Sequence, residues 1–266
     1  MSVVSLTSAE SIANSPPADR LRPVRIWLYV VALMVLAILV VGGITRLTDS
    51  GLSITSWQPL NGAWPPTNDA DWLREFDAYK QIPQYQLLNQ DMTIEGFRYI
   101  FWWEWLHRNL ARLIGVVFAV PFLIFLIQRR FTWSLAAPLA GLFVLGGLQG
   151  AIGWWMVSSG LETLTSVSQY RLATHLGTAL ALFLALIWVA RRLGPGRPVP
   201  ADAQRGAVGL LLALIVLQII AGAFVAGLDA GQGYNTWPLI DGALVPSGLD
   251  AIEPWWKNLF ENALTV

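Results

Sequence analysis

The chain of 266 residues is 55% hydrophobic and only 13% charged, its acidic and basic side chains balance to a formal net charge of zero, and it has no cysteine. A soluble domain carries nearer a quarter of its residues as charges, so this composition excludes an ordinary soluble fold. The absent thiols exclude disulfides, thiolate metal sites and thiol redox steps, and the neutral balance gives no sign of nucleic-acid binding.

The apolar residues lie in blocks. Residues 1–25 are polar, contain Pro16, Pro17, Pro23, Glu10 and Asp19, and lack the short apolar core of a cleaved signal, which predicts a disordered cytoplasmic tail. Residues 26–45 carry no charge and make the first predicted span. A long loop over 46–96, rich in Trp, Pro and Asp, leads to spans at 97–127, 134–157 and 169–190. A linker over 193–206 then precedes a fifth span near 207–228 and a last loop. Each block is close to the ~20 residues with which a helix crosses a bilayer. The expected fold class is an all-α polytopic membrane protein. Its expected domains are a four-helix unit over 26–192 and the beginning of a second unit over 207–266.

Arg20, Arg22, Arg25, Arg129, Arg130, Arg191, Arg192, Arg197 and Arg205 all fall on the side of the N-terminus. That bias predicts a cytoplasmic N-terminus, with the 46–96 loop outside. Trp57, Trp64, Trp72, Trp102, Trp103 and Trp105 are expected at the membrane–water interface as an aromatic belt.

Two stretches match at a constant offset. "GGITRLTDSGLSITSWQPLNGA" begins at Gly42 and "GAFVAGLDAGQGYNTWPLIDGA" at Gly222, so that Gly42, Asp49, Gly51, Trp57, Gly62 and Ala63 recur as Gly222, Asp229, Gly231, Trp237, Gly242 and Ala243. Each follows an apolar span leaving the same side. The repeat is therefore parallel, unlike the inverted repeats of many transporters. Four spans form one unit and the fifth opens another. The expectation is a fragment or truncated product of an eight-span protein, with a natural five-span protein carrying a decayed repeat as the alternative.

"FWWEWLHRNLARLIG", from Phe101 to Gly115, places Glu104, His107, Arg108 and Arg112 where the second span begins. The chain has only two histidines, His107 and His175. Taken from Tyr99 and Gln169, they lie eight and six residues into their spans, roughly 9–12 Å deep at 1.5 Å per residue. Neutral imidazole suits iron, and paired histidines at one depth in a bundle fit a haem held between helices; cross-helix hydrogen bonding is the plainer alternative. Glu104, three residues before His107, shares its face. It reads either as an acid–base group beside a cofactor or as a salt bridge to Arg108. Arg108, Arg112 and Arg171 suit carboxylates such as haem propionates, with snorkelling as the alternative for Arg108. Gly146, Gly147, Gly150, Gly153 and Gly177 allow close helix approach or room for a flat ring.

These segments, with "QGAIGWWMVSSGL" and "YRLATHLGTAL", resemble the haem A synthase family in its α-proteobacterial and mitochondrial form, over nearly everything after Arg25. The resemblance implies eight spans in two halves and oxidation of the C8 methyl of haem O to the formyl of haem A, for aa3-type cytochrome oxidases. It implies iron ligation by His107 and His175, an essential role for Glu104, and haem b mainly in the C-terminal half. Implied partners are the haem O substrate, haem O synthase, oxidase assembly factors and the lipid bilayer. A homo-oligomer is compatible with the sequence, and the implied location is the bacterial inner membrane. Some bacterial members carry a cysteine pair in an outer loop, which this chain lacks. A b-type electron carrier and a haem-free transporter or assembly module are the rival readings.

Overall fold

A computed structural model describes residues 20–194, 204–233, 236–240 and 242–266. The described residues are helical apart from turns, loops and a single isolated bridge between Ile240 and Ala243. Five helices are long and apolar enough to cross a membrane: α1 Arg22–Leu47, α4 Ile94–Ile127, α5 Trp133–Glu162, α6 Gln169–Arg192 and α7 Arg205–Gly227. Two shorter helices, α2 Asp69–Tyr79 and α3 Pro83–Leu88, lie between α1 and α4. The molecule is an all-α polytopic membrane protein.

The helices start earlier than their charge-free blocks. α1 begins at Arg22, and Val24, at 0% exposure, belongs to a core, so the tail expected over 1–25 is too long at its C-terminal end. Pro23 sits in the first turn, where its missing N–H is no loss. The rest of that tail and most of the expected linker, 195–203, lie outside the described residues.

The described residues group into two compact units. One draws on 20–41, 107–148 and 179–194; the other on 42–106, 149–178 and the described residues between 204 and 266. In the first unit Val24, Leu28, Val31 and Val35 of α1 pack with Phe118 of α4, Leu139 of α5 and Leu186 and Ala190 of α6. Trp27 stands at the centre, its ring 4.8 Å from that of Phe118 and its Nε1 donating to Val117 O at 2.8 Å.

The second unit has an aromatic core built largely by the loop after α1. Asn68 caps α2 by accepting from Asp71 N, with Asp69 and Asp71 in the favoured first turn. α2 thereby turns Trp72, Phe76 and Tyr79 onto Phe97 and Phe101 at the start of α4. Tyr79 is fully buried; its hydroxyl donates to Gln84 and accepts from Asn89, and burial pushes the phenol pKa up. Trp72, expected in the aromatic belt, is instead a core residue at 8% exposure. Trp57 is half exposed and stacks on Trp154 at 6.0 Å.

The sequence repeat reappears as geometry. α1 ends at Leu47 and α7 at Gly227, and Asp49 and Asp229, 180 positions apart, both adopt φ 52°. Asp tolerates this left-handed conformation better than most residues. Arg46 joins the copies. Its Nη1 reaches Asp49 at 3.1 Å, its Nη2 reaches Asp229 at 2.5 Å, and Nε and Nη2 donate to Ala226 O at 3.0 and 2.6 Å. Ala226 occupies in the second copy the place of Arg46 in the first, so a single guanidinium serves both helix ends.

α7 is also seated by close approach: a Cβ at Gly227 would stand 2.6 Å from the Cβ and 2.7 Å from the Cα of Gln169. Most of its remaining apolar surface is exposed, as suits lipid. Arg46→Ala is expected to destabilise the unit by about 1–2 kcal/mol, since charge-assisted bonds are lost at partly exposed carboxylates. A lower melting temperature in detergent, with earlier proteolysis beyond Leu228, checks this. Arg46→Lys is expected to restore little, because a single ammonium cannot span three acceptors.

Candidate functional site

Glu104 lies on α4 and is 3% exposed. Its Oε2 accepts from Ser53 Oγ at 2.7 Å and from Ile54 N at 2.8 Å. Ser53 is itself fully buried, and its hydroxyl also lies 3.4 Å from Ile100 O. Leu52, beside it, lies against Gly160 of α5, where a Cβ would come within 2.7 Å of both Leu52 methyls. A bare backbone at Gly160 thus lets the 52–54 segment nest in place. That segment presents two donors to one carboxylate oxygen. A buried carboxylate is costly unless its oxygens are met in this way.

His175 lies on α6, six residues beyond Gln169. Gly153 of α5 faces its ring: a Cβ there would stand 3.1 Å from Cε1 and 3.7 Å from each ring nitrogen. The His175 Nδ1 is shielded from solvent and has no hydrogen-bond partner among the described residues. Gln149, one turn before Gly153 on α5, has both amide atoms in the same condition.

Arg171 is committed locally. Its Nη1 donates to Trp155 O at 2.5 Å and Ser158 Oγ at 3.0 Å, and its guanidinium lies 4.9 Å from the centre of the Trp155 ring. It borders a polar cleft of about 450 Å³ with Ser159, Glu162 and Ser168.

His107, Arg108 and Arg112 follow Glu104 on α4 and belong to the other compact unit. His107 lies thirteen residues beyond Ile94, because the first turns of α4 project into the loop's aromatic core. The structure joins Glu104 to the loop, His175 to α5 and Arg171 to α5. Ser53, Ile54 and Gln149 were not singled out by the sequence; a lone amide in an apolar block was a readable signal for Gln149, whereas nothing local marks Ser53 or Ile54.

The His175 imidazole is of the type that could serve a haem as an axial ligand. Among the described residues no three His, Cys, Asp or Glu side chains gather as a metal cluster. A haem brings its own ring nitrogens to iron and asks the protein for only one or two axial ligands. A partly buried imidazole packed against Gly153, with a shielded Nδ1 that has no partner among the described residues, meets that demand.

No solved structure matches the chain. It is 55% identical to a haem A synthase of Rhizobium rhizogenes over 266 residues, covering 98% of this chain and 72% of that protein. It is 54% identical to a haem A synthase of Azorhizobium caulinodans over 261 residues, 96% of this chain and 74% of that one, and 54% identical to a haem A synthase of Mesorhizobium japonicum, 97% and 72%. The family model COX15-CtaA, described as cytochrome oxidase assembly protein, matches residues 25–266, and the chain belongs to that family.

Proposed function

We propose that this chain is a haem A synthase, an oxidoreductase that converts the C8 methyl of haem O to the formyl of haem A. The observation that carries the reading is Glu104. It is a buried carboxylate fixed by Ser53 and Ile54, three residues before one of only two histidines, in a chain more than half identical to named haem A synthases.

Haem when bound supplies iron redox chemistry; the chain supplies position and proton handling. His107 and His175 are assigned as the iron ligands. Glu104 is assigned to accept a proton, or to stabilise positive charge, at the methyl carbon as it is oxidised. Two successive two-electron oxidations, each passing its electrons to an external electron acceptor and taking its oxygen atom from water or dioxygen, give an alcohol and then a hydrated aldehyde, and loss of water leaves the formyl group. The buried, doubly held Oε2 needs no reorganisation as charge develops. Arg108, Arg112 and Arg171 are assigned to the propionates, Arg171 through the N–H groups it does not spend on Trp155 and Ser158.

The N-terminus is assigned to the cytoplasm, in the bacterial inner membrane. Partners are assigned as haem O synthase, which supplies the substrate, and oxidase assembly factors, which receive the product. Extraction of haems from membranes with and without the chain tests the reading. Haem A is expected only where the chain is present. A bound b-type haem without haem A would make the protein an electron carrier, and colourless protein would remove haem altogether. The same extraction resolves haem b from haem O and haem A.

A further inference from the structure

Gln149 is the only side chain with an amide, hydroxyl or charge between Ser134 and Ser158 of α5. Its Nε2 and Oε1 are both shielded from solvent and both lack a hydrogen-bond partner among the described residues. Such an amide has lost water at both ends and regained nothing, a standing cost that a bound polar group would remove. A polar side chain inside the apolar region of a membrane protein is a functional-site candidate by default.

Its place on the helix gives it an address. Gln149 and Gly153 are four residues apart and share one face of α5. That face meets the His175 ring, which approaches the bare Gly153 backbone and carries its own unpartnered Nδ1. An unsatisfied amide and a ligand-type imidazole therefore line one side of α5 together.

The chemistry of the amide narrows what it can recognise. It offers one acceptor and a donor group. A methyl substituent uses neither. A formyl oxygen can accept from Nε2 only. A hydroxymethyl group both donates and accepts, so unlike the methyl before it and the formyl after it, it satisfies both ends of the amide.

We propose that Gln149 is a specificity-determining residue that holds the hydroxyl-bearing, half-oxidised haem between the two oxidations. The proposal rests on the haem A synthase reading. Retention of that species by a hydrogen-bonded pair would explain why a chain that oxidises one carbon twice keeps an amide where an apolar residue would pack at less cost.

The test is binding, with product analysis beside it. The full chain in lipid nanodiscs is titrated with haem O and with the haem carrying hydroxymethyl in place of the C8 methyl. The wild-type chain is expected to prefer the hydroxyl-bearing haem by about tenfold, a modest figure beside what buried hydroxyl recognition reaches. Gln149→Met keeps the length of the side chain and removes both polar ends. It is expected to bind haem O at least as tightly and to lose the preference, and membranes containing it are expected to yield alcohol haem in place of haem A. Equal weakening toward both haems, or an unaltered preference, overturns the proposal and makes Gln149 a structural or water-binding group. If the methionine variant does not fold, Gln149→Asn carries the test. Its shortened amide should reduce the preference without weakening haem O, and equal weakening again overturns the idea. A wild-type chain that makes haem A but shows no preference sinks this proposal alone. A wild-type chain that binds neither haem sinks the synthase reading with it.

Discussion

Replacing Glu104 by glutamine is expected to leave haem bound while formyl production falls by about two to four orders of magnitude, the range lost when a positioned proton acceptor is removed. The substitution is nearly isosteric. The glutamine carbonyl can still accept from Ser53 Oγ and Ile54 N, so the 52–54 segment keeps its anchor and α4 its seat. What disappears is the negative charge and the basicity. A Glu104 that served only to anchor the 52–54 segment would tolerate this, because the bonds from Ser53 Oγ and Ile54 N survive. A catalytic Glu104 would not, because an amide neither takes a proton nor stabilises a neighbouring cation. Ser53→Ala separates position from chemistry. It removes one of the two donors and leaves the carboxylate, so a much smaller loss is expected, roughly tenfold if the bond is worth about 1–1.5 kcal/mol. Haem extraction quantifies both variants, with bound haem per protein read from the absorption spectrum. Normal haem A output from Glu104→Gln would reduce Glu104 to a packing group.

The spans were legible because lipid imposes a coarse code. Charge-free blocks near the length of a bilayer crossing leave helix as the only structure that satisfies the backbone. The repeat was legible in the same sense: Asp49 and Asp229 matched at an offset of 180 and adopt the same backbone conformation. What the offset could not reveal is that Arg46 spans both copies, because its counterpart is Ala226 and offers only a carbonyl. In the loop between α1 and α4 only Trp72 was misread, while Trp57 and Trp64 stay exposed. Asn68 followed by Asp69 and Asp71 is a helix start, and the α2 it begins carries Trp72, Phe76 and Tyr79 into a core. A belt and a small aromatic core use the same residue types, and only the cap distinguishes them.

The site divides similarly. Glu104 and the histidines stood out because ionisable groups are expensive in a membrane. Ser53 and Ile54 did not, because a buried serine hydroxyl and a backbone N–H leave no mark on composition. Gly153 was read as room for helices or a ring; its partner in the structure is the His175 imidazole, a narrower role than either.

That role supplies the second large expected effect. His175→Leu in the full chain is expected to lower bound haem by at least about tenfold, since even partners that merely orient a metal ligand are worth 10–100-fold in affinity and a ligand is worth more. Leucine is apolar and of comparable bulk, so the α5–α6 contact survives and unfolding does not explain the loss. Gly153→Ala approaches the same ring from the other side. Its Cβ would press on Cε1 at 3.1 Å, a distance the ring can relieve only by moving a few tenths of an ångström. An imidazole that ligates iron cannot move freely, because the metal–nitrogen bond fixes it near ~2.0–2.1 Å. Strain then appears as a shifted absorption spectrum and weaker binding, milder than for His175→Leu. An imidazole that only fills space would rotate, and the spectrum would not change. His175→Gly adds a positive arm. It opens a cavity shaped for the missing ring, and added imidazole is expected to restore the b-type spectrum. If His175→Leu keeps wild-type haem and spectrum, His175 leaves the ligand set, and the close contact at Gly153 becomes helix packing alone. If the spectrum is lost in His175→Leu and returns with imidazole in His175→Gly, the ring binds iron, and Gly153 is the residue that gives it room to do so.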